Sequence, residues 1–421
     1  LKKRVVITGL GFITSIGNDR AAVLDSLRQG RSGIELFEEI NVEPGGPRLA
    51  GTIKGFTFPG KQFDDWTYPV EYAIERNHLR SMSPHVVYAW CSMQQAIADA
   101  KLGSDLVSNP RTGAMCASGG SMWVIYENLD MMVKEGVHKC YPMSLPAGIP
   151  GTLNSNLAAS FQLKGAVTGF SSACASSAHA LGYGYDQISS GRQDRVFVVG
   201  AEDCNKFSIL PFAGVRALSL RADPATAPAP FDLKRDGFVG TGGATTLVLE
   251  ELDCAQARGA SIYAEVLGWG EAADGYNVMA PEPHGEGLTR AMLNALEHAK
   301  LTPDRIDYIN AHATGTTVGD LSEIKAIRRV FPNARKPYVS STKALTGHGL
   351  CLAGAMEAAF TVLALQEKFM PISAKITKLD PACAGVSILT KPIDFEPAIA
   401  LSNSSGFGGA NVALVLGRWN G

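Results

Sequence analysis

The chain predicts an α/β protein made of two similar halves, on three observations. Short apolar runs rich in β-branched residues alternate with longer helical patterns, the signature of βαβ units and a mainly parallel sheet. A glycine-turn motif recurs: Gly242-Gly243-Ala244 leads into Leu247-Val248-Leu249, and Gly408-Gly409-Ala410 leads into Leu414-Val415-Leu416. Such an echo suggests a duplicated unit, although GGA before an apolar run can also recur by chance. Finally, 421 residues exceed what one hydrophobic core usually serves.

Taken in order, residues 5–8 read as a buried strand, 20–29 as a helix and 86–100 as a second helix with one apolar face. Residues 195–200 and 247–249 read as fully buried strands. Residues 306–311 and 338–341 read as strands, and 356–366 as a helix rich in Ala and Leu. The second half is expected to begin near Ala260, giving units at 1–258 and 259–421. Residues 221–230 and 45–60, rich in Pro, Ala and Gly, read as surface loops.

Composition narrows the function classes. Hydrophobic residues make up 46% and charged residues 19%, which fits a packed globular protein rather than a disordered one. A formal net charge of -2 argues against a nucleic-acid or membrane-surface protein as a whole. No apolar run reaches the roughly 18 residues of a membrane span. The charged start Lys2-Lys3-Arg4 runs straight into a strand pattern, unlike a signal peptide. The eight cysteines are scattered, with neither a CxxC pair nor zinc-finger spacing. The expectation is a soluble cytoplasmic protein with reduced thiols and no metal site. A dinucleotide-binding reading of Gly9-Leu10-Gly11 fails, because the next glycine comes only at Gly17.

One cysteine has chemical surroundings. Cys174 lies among small residues in SSACASSAH (171–179), just before an apolar helical pattern. A helix N-terminus favours a thiolate, and small neighbours admit a substrate carbonyl to free backbone N–H groups. By itself the segment also fits a buried structural cysteine. His312 and His348 each follow a predicted strand in a Gly/Thr-rich turn, in INAHATGT (309–316) and SSTKALTGH (340–348). Ligands of open α/β sheets bind beyond such strand ends, so two imidazoles and a thiol can face one substrate. The pliable NSSGFGGAN loop (403–411) places Phe407 where it could gate a site or present its N–H to an oxyanion.

These four segments, in this order and spacing, resemble the β-ketoacyl-[acyl-carrier-protein] synthases, elongating condensing enzymes of the thiolase superfamily. ITGLGFITSIGN (7–18), QAIADA (95–100), FDLKRDGFV (231–239) and VLEELDCAQARGA (248–260) extend the likeness over nearly the whole chain. KALTGH and the ASGGS segment (117–121) bring the type I enzymes nearest. The resemblance implies a thiolase-like fold, two α/β halves in a five-layer αβαβα sandwich. It implies Cys174 as nucleophile, His312 and His348 as the catalytic pair, and Lys343 and Phe407 as further catalytic residues. It implies Asp320 and Glu323 as supporting acids and Thr314 and Thr316 as pantetheine contacts. Gly120 falls where the family tunes acyl-pocket depth.

No cofactor is expected, since the substrates ride on the phosphopantetheine of acyl carrier protein. A homodimer is expected, with a heterodimer left open. Carrier proteins are acidic, so a basic rim is expected. The candidates are Arg76 with Arg80, on one helical face, and Lys134 with Lys139; solvated surface charge is the plain alternative. The sequence departs from the family pattern at Ala313, Ser405, Ala410 and the bulky Gly349-Leu350-Cys351-Leu352 run. The departures bear on substrate choice, so a specialised polyketide or polyene ketosynthase stands as the alternative to fatty-acid elongation. A non-catalytic chain-length partner is the rival of another class, and the presence of Cys174 weighs against it. A thiolase would need a second cysteine in 403–411, and there is none.

Overall fold

The computed structural model describes residues 2–60, 62–332 and 337–421. Its strands, in chain order, begin with β1 (Val5–Ile13), β2 (Ile34–Leu36), β3 (Leu49–Gly51), β4 (Thr112–Ala117) and β5 (Val167–Phe170). Next come β6 (Arg195–Glu202), β7 (Gly240–Thr241), β8 (Gly243–Glu251), β9 (Ala264–Ala273) and β10 (Tyr308–Asn310). The last four are β11 (Tyr338–Ser340), β12 (Ser387–Ile388), β13 (Ile399–Gly406) and β14 (Ala410–Arg418). Among the described residues, β2, β3 and β7 form a small sheet, and the rest run in the order β12-β11-β10-β13-β14-β9-β1-β8-β6-β4-β5.

That order contains one topology twice. In the first half the strands lie as β5-β4-β6-β8-β1, and in the second as β11-β10-β13-β14-β9. Numbered among these five strands of each half, both read 3-2-4-5-1; β12 adds an edge strand beside β11 in the second half. In both, the first two pairings are parallel and the last two antiparallel. A short antiparallel ladder, Val5–Ile7 against Ala264–Val266, joins the halves through their first strands. The two GGA motifs open β8 and β14, the fifth strand of each half. The sheet is therefore mixed, correcting the expectation of a mainly parallel one. Local patterning shows that a run is a strand but not which way its neighbour points. Direction is set by connections such as the tight Phe407–Gly409 turn, which forces β13 and β14 antiparallel.

The helices supply the layers. Helix Ser176–Ser189 and helix Ala353–Gln366 touch strands of both halves and each other, and so form the middle layer. Helix Pro84–Asp99 covers β1, β6 and β8 on one outer face, and helix Glu286–Ala299 covers β9 and β14 on the other. This is the five-layer thiolase-like arrangement. The middle position explains the composition of helix 353–366: Ala353 through Leu365 are all buried, because both faces meet a sheet. Gly11 is required by the outer contact, since a Cβ there would lie 1.8 Å from the Ser92 carbonyl oxygen of the covering helix.

Local signals set several boundaries. Asp19 caps helix Arg20–Gln29 by accepting from the Ala22 N–H, and Gly30 ends it at φ 64°. Pro84 occupies the first turn of helix Pro84–Asp99. The two predicted surface loops are only partly so. Residues 227–230 are buried, and 45–60 contains β3, which pairs with β2 and β7. Pro and Ala mark irregular backbone but do not decide whether that backbone is covered.

Candidate active site

Cys174 lies two residues before helix Ser176–Ser189, in a turn whose preceding residue, Ala173, has φ 50°. His312 follows β10, and His348 lies eight residues past the end of β11, the neighbour of β10, in the turn after the one-turn helix Lys343–Thr346. The second and third strands of one half thus deliver the imidazoles, and the third strand of the other delivers the sulfur. All three side chains meet. His348 Nε2 is 3.0 Å from Cys174 Sγ, and the two imidazoles stand edge to face with centroids 5.2 Å apart. One donor atom from each of the three residues lies within 4.8 Å of the others.

The charge around this cluster favours an anion over a dication. Lys343 Nζ lies 3.3 Å from His312 Nδ1, and it is ion-paired with Glu357 in a fully buried contact. Burial, reinforced by the Lys343 charge, holds both imidazoles well below the ordinary histidine value, so each is neutral at pH 7. Because Nδ1 of His312 accepts from Lys343, its Nε2 carries the proton and can donate. Burial pushes Glu357 up to about 7 against the pull of Lys343.

The thiol departs from expectation. A helix tip should favour a thiolate, yet burial pushes Cys174 up to about 12; Lys343 and the Phe407 N–H oppose it, while Glu202 and Glu357 add to it. Cys174 belongs to a buried apolar cluster with Ile209, Leu218, Phe238 and Leu350, and desolvation outweighs the helix terminus. At rest the group is a thiol whose proton can leave only through a neighbour, and His348 Nε2 is in contact.

The supporting residues act on backbone. Glu323 accepts from the N–H groups of His312 (2.8 Å) and Ala313 (2.6 Å), and Asn403 donates to it at 2.5 Å. It therefore fixes the His312 turn rather than touching the ring. Burial holds its carboxyl above the usual carboxylate range against those donors. Asp320 accepts from Phe231 N–H (2.9 Å) and Gly315 N–H (3.1 Å) and sits 3.3 Å from Arg235; burial pushes it up to about 7.

A cavity of about 390 Å³ opens onto this cluster. Cys174, His312, His348, Thr314, Thr316 and Phe407 all line it. The Thr314 and Thr316 hydroxyls are 3.0 Å apart, and the Phe407 ring stands 6.1 Å from Phe212 at the same wall. Of the departures, Ala313, Leu350 and Ser405 also line it.

Gly120 does not line this cavity. It has φ 78°, and a Cβ there would lie 2.5 Å from the Gly148 carbonyl oxygen, so backbone geometry by itself demands glycine. The basic candidates separate. The helix that carries Arg76 spans only Arg76–Leu79, so Arg80 caps it rather than sharing a helical face. Arg76 is ion-paired with Asp64 and Lys134 with Asp130. Arg80 and Lys139 instead line one groove with Phe63, Trp66 and Tyr141.

Sequence reasoning missed Glu357, Asn403, Arg235 and Phe238, whose ring stands edge-on to His348 at 5.2 Å. Glu357 alone left a signal, as the single charge in an otherwise apolar helix.

Fold and site together define a thiol-dependent, thiolase-like condensing enzyme. The models "Beta-ketoacyl synthase, N-terminal domain" and "Beta-ketoacyl synthase, C-terminal domain" match residues 2–255 and 263–377, and the chain belongs to the β-ketoacyl synthase family. It is 40% identical over 419 residues to the 3-oxoacyl-[acyl-carrier-protein] synthase 1 of Escherichia coli K12, covering 98% of each chain. Among solved structures, a β-ketoacyl synthase from Burkholderia phymatum superposes with a TM-score of 0.89 at 34% identity, over 99% of this chain and 100% of that one. The ishigamide ketosynthase/chain length factor superposes with a TM-score of 0.88 at 29% identity, over the whole of both chains. The chain is accordingly an acyl-transferring condensing enzyme.

Proposed function

We propose that this enzyme elongates acyl chains by decarboxylative condensation with malonyl-acyl carrier protein, in fatty-acid synthesis. The observation that carries the reading is the Cys174–His348–His312 contact at the end of one cavity. Cys174 attacks an acyl thioester. Its proton passes through His348 Nε2 to the departing pantetheine sulfur. The N–H groups of Cys174 and Phe407 hold the oxyanion; losing one such donor typically costs roughly 100- to 1,000-fold. Malonyl-carrier protein then enters the same cavity, with Thr314 and Thr316 along its arm. Loss of carbon dioxide leaves an enolate, which the Nε2–H of His312 stabilises, with His348 beside it and the Lys343 charge behind. The carbanion attacks the acyl-Cys174 carbonyl, expels the sulfur and yields a 3-ketoacyl thioester. The thioester supplies the activation, so the chemistry requires no cofactor.

Acyl carrier protein is the proposed partner, docking at Arg80 and Lys139 with Arg76 and Lys134 behind them. A second copy of the chain is proposed on the edge strand β5, whose Thr168 and Gly169 are exposed and whose outer side is unpaired among the described residues. The two halves are proposed to divide between residues 258 and 259. Incubation with malonyl-carrier protein and a panel of acyl-carrier proteins, with products read by mass, tests the reading. Two-carbon extension with loss of carbon dioxide is expected; no product from any acyl-carrier protein would overturn it. A mass of one chain in light scattering would overturn the dimer.

A specialised polyketide or polyene ketosynthase is the second reading. It is favoured by the likeness to the ishigamide ketosynthase/chain length factor and by Leu350, Cys351 and Ser405 near the cavity. The same panel separates the two, since successive extensions without reduction would identify this one.

A further inference from the structure

The turn that carries Cys174 is under backbone strain. Ala173 has φ 50°, a region that residues with a Cβ rarely adopt, and such strain persists only where the surroundings fix it. Part of the fixing is local: Ser176 Oγ accepts from the Ser172 N–H at 2.8 Å and donates to the Ala173 carbonyl at 2.6 Å. The rest leaves the turn. Ser172 Oγ lies 2.7 Å from His179 Nδ1, in the first turn of helix Ser176–Ser189. His179 Nε2 lies 2.9 Å from Glu271 Oε2, on β9 of the other half. Glu271 also accepts from the Tyr183 hydroxyl at 3.0 Å, and Tyr183 packs on Phe170 and Trp269 with centroids 5.2 and 5.1 Å away.

This chain of contacts plays no part in the mechanism above. It does end on the residue two before the nucleophile. The partners of the sulfur, His348 Nε2 and the Phe407 N–H, both belong to the second half. The sulfur must therefore be registered across the two halves, and the Ser172–His179–Glu271 line is a polar tie that crosses them beside it.

We propose that Glu271 is a positioning residue: through His179 and Ser172 it holds the Cys174 turn in register with the second half, so that acylation depends on it and malonyl decarboxylation does not. His179 Nε2–H donates to the carboxylate, Nδ1 lies against the Ser172 hydroxyl and, at 3.2 Å, the Ala175 carbonyl oxygen, and the strained turn cannot relax away from His348. Decarboxylation is different, because the enolate is held by the imidazoles and needs no sulfur. The inference rests on the condensing reaction proposed above.

The test measures two rates in the full-length enzyme: formation of acyl-Cys174 from acyl-carrier protein, read by intact mass, and release of carbon dioxide from malonyl-carrier protein. Glu271→Ala is expected to slow acylation about tenfold, the scale on which sub-ångström misplacement acts, with decarboxylation within about twofold of the unaltered enzyme. Glu271→Gln keeps one oxygen, which can accept from His179 Nε2–H while the amide NH2 donates to the Tyr183 hydroxyl oxygen, and is expected to restore acylation. Ser172→Ala cuts the same line at its other end and should reproduce Glu271→Ala, whichever variant folds better. Acylation unchanged in both Ala variants overturns the proposal. So does an equal fall in both rates, or a Gln variant as slow as the Ala one. If the unaltered enzyme itself fails to acylate, the proposed reaction has failed rather than this role for Glu271.

Discussion

The two halves have one topology and divide the chemistry. In each, the third strand leads to the central helix, but by different routes. Between β5 and helix Ser176–Ser189 stand five residues, folded into a strained turn that presents one sulfur. Between β11 and helix Ala353–Gln366 stand twelve, enough for a helical turn bearing Lys343 and a second turn bearing His348. The second strands differ likewise. Past β4 comes Ser118-Gly119-Gly120, and past β10 comes His312, locked by Glu323. Duplication thus supplied two loops facing each other across a middle layer of helices. Their lengths decide which presents a nucleophile and which an imidazole backed by the Lys343 charge.

Substitutions can break this division, starting with the largest effect. Cys174→Ala should abolish acyl transfer altogether, with no acyl-enzyme by intact mass; an acylated variant would remove the first half from the chemistry. The histidines should then separate. His312→Ala should cut condensation by about 10²- to 10⁴-fold, the usual weight of a positioned acid–base group, yet leave acyl-Cys174 forming. His348→Ala should slow both steps, since its Nε2 is what receives the thiol proton. Equal behaviour of the two variants in single-turnover assays would sink that distinction.

Lys343→Ala leaves Glu357 buried without its partner, which typically costs about 3–5 kcal/mol of stability. Denaturant titration reads it directly, and an unchanged midpoint would show that the pair does not hold the second half's loop together. Next comes pH. With the thiol pushed up to about 12, the thiolate is the minor form throughout the neutral range. Its fraction, and with it iodoacetamide labelling of Cys174, should rise about tenfold per pH unit from 7 to 10. A plateau below pH 8 would mean that the helix terminus outweighs burial after all. The smallest effect lies on the surface. Arg80→Glu with Lys139→Glu should lower kcat/KM for acyl-carrier protein about tenfold at low salt, while Arg76→Glu, already neutralised by Asp64, should matter less.

Much of the proposed site was legible because its candidate catalytic residues sit where local signals are strong. His312 and His348 follow strands in Gly/Thr turns, and Cys174 precedes a helix among small residues. Glu357 shows in the sequence as a lone charge in an apolar helix, but its role could not be read there, because its partner Lys343 is fourteen residues away in the chain. Asn403 reads as an ordinary turn residue until Glu323 is found against it.

By itself, the sequence marked several of the strands and helices, the repeated glycine turn and the candidate reacting groups, since each depends on neighbours in the chain. Only the tertiary structure decided the direction of half the strand pairings, the coverage of residues 227–230 and the protonation of the thiol. Those depend on what lies across a layer or a cavity wall, and desolvation is a property of the surroundings in space, not of the residues on either side.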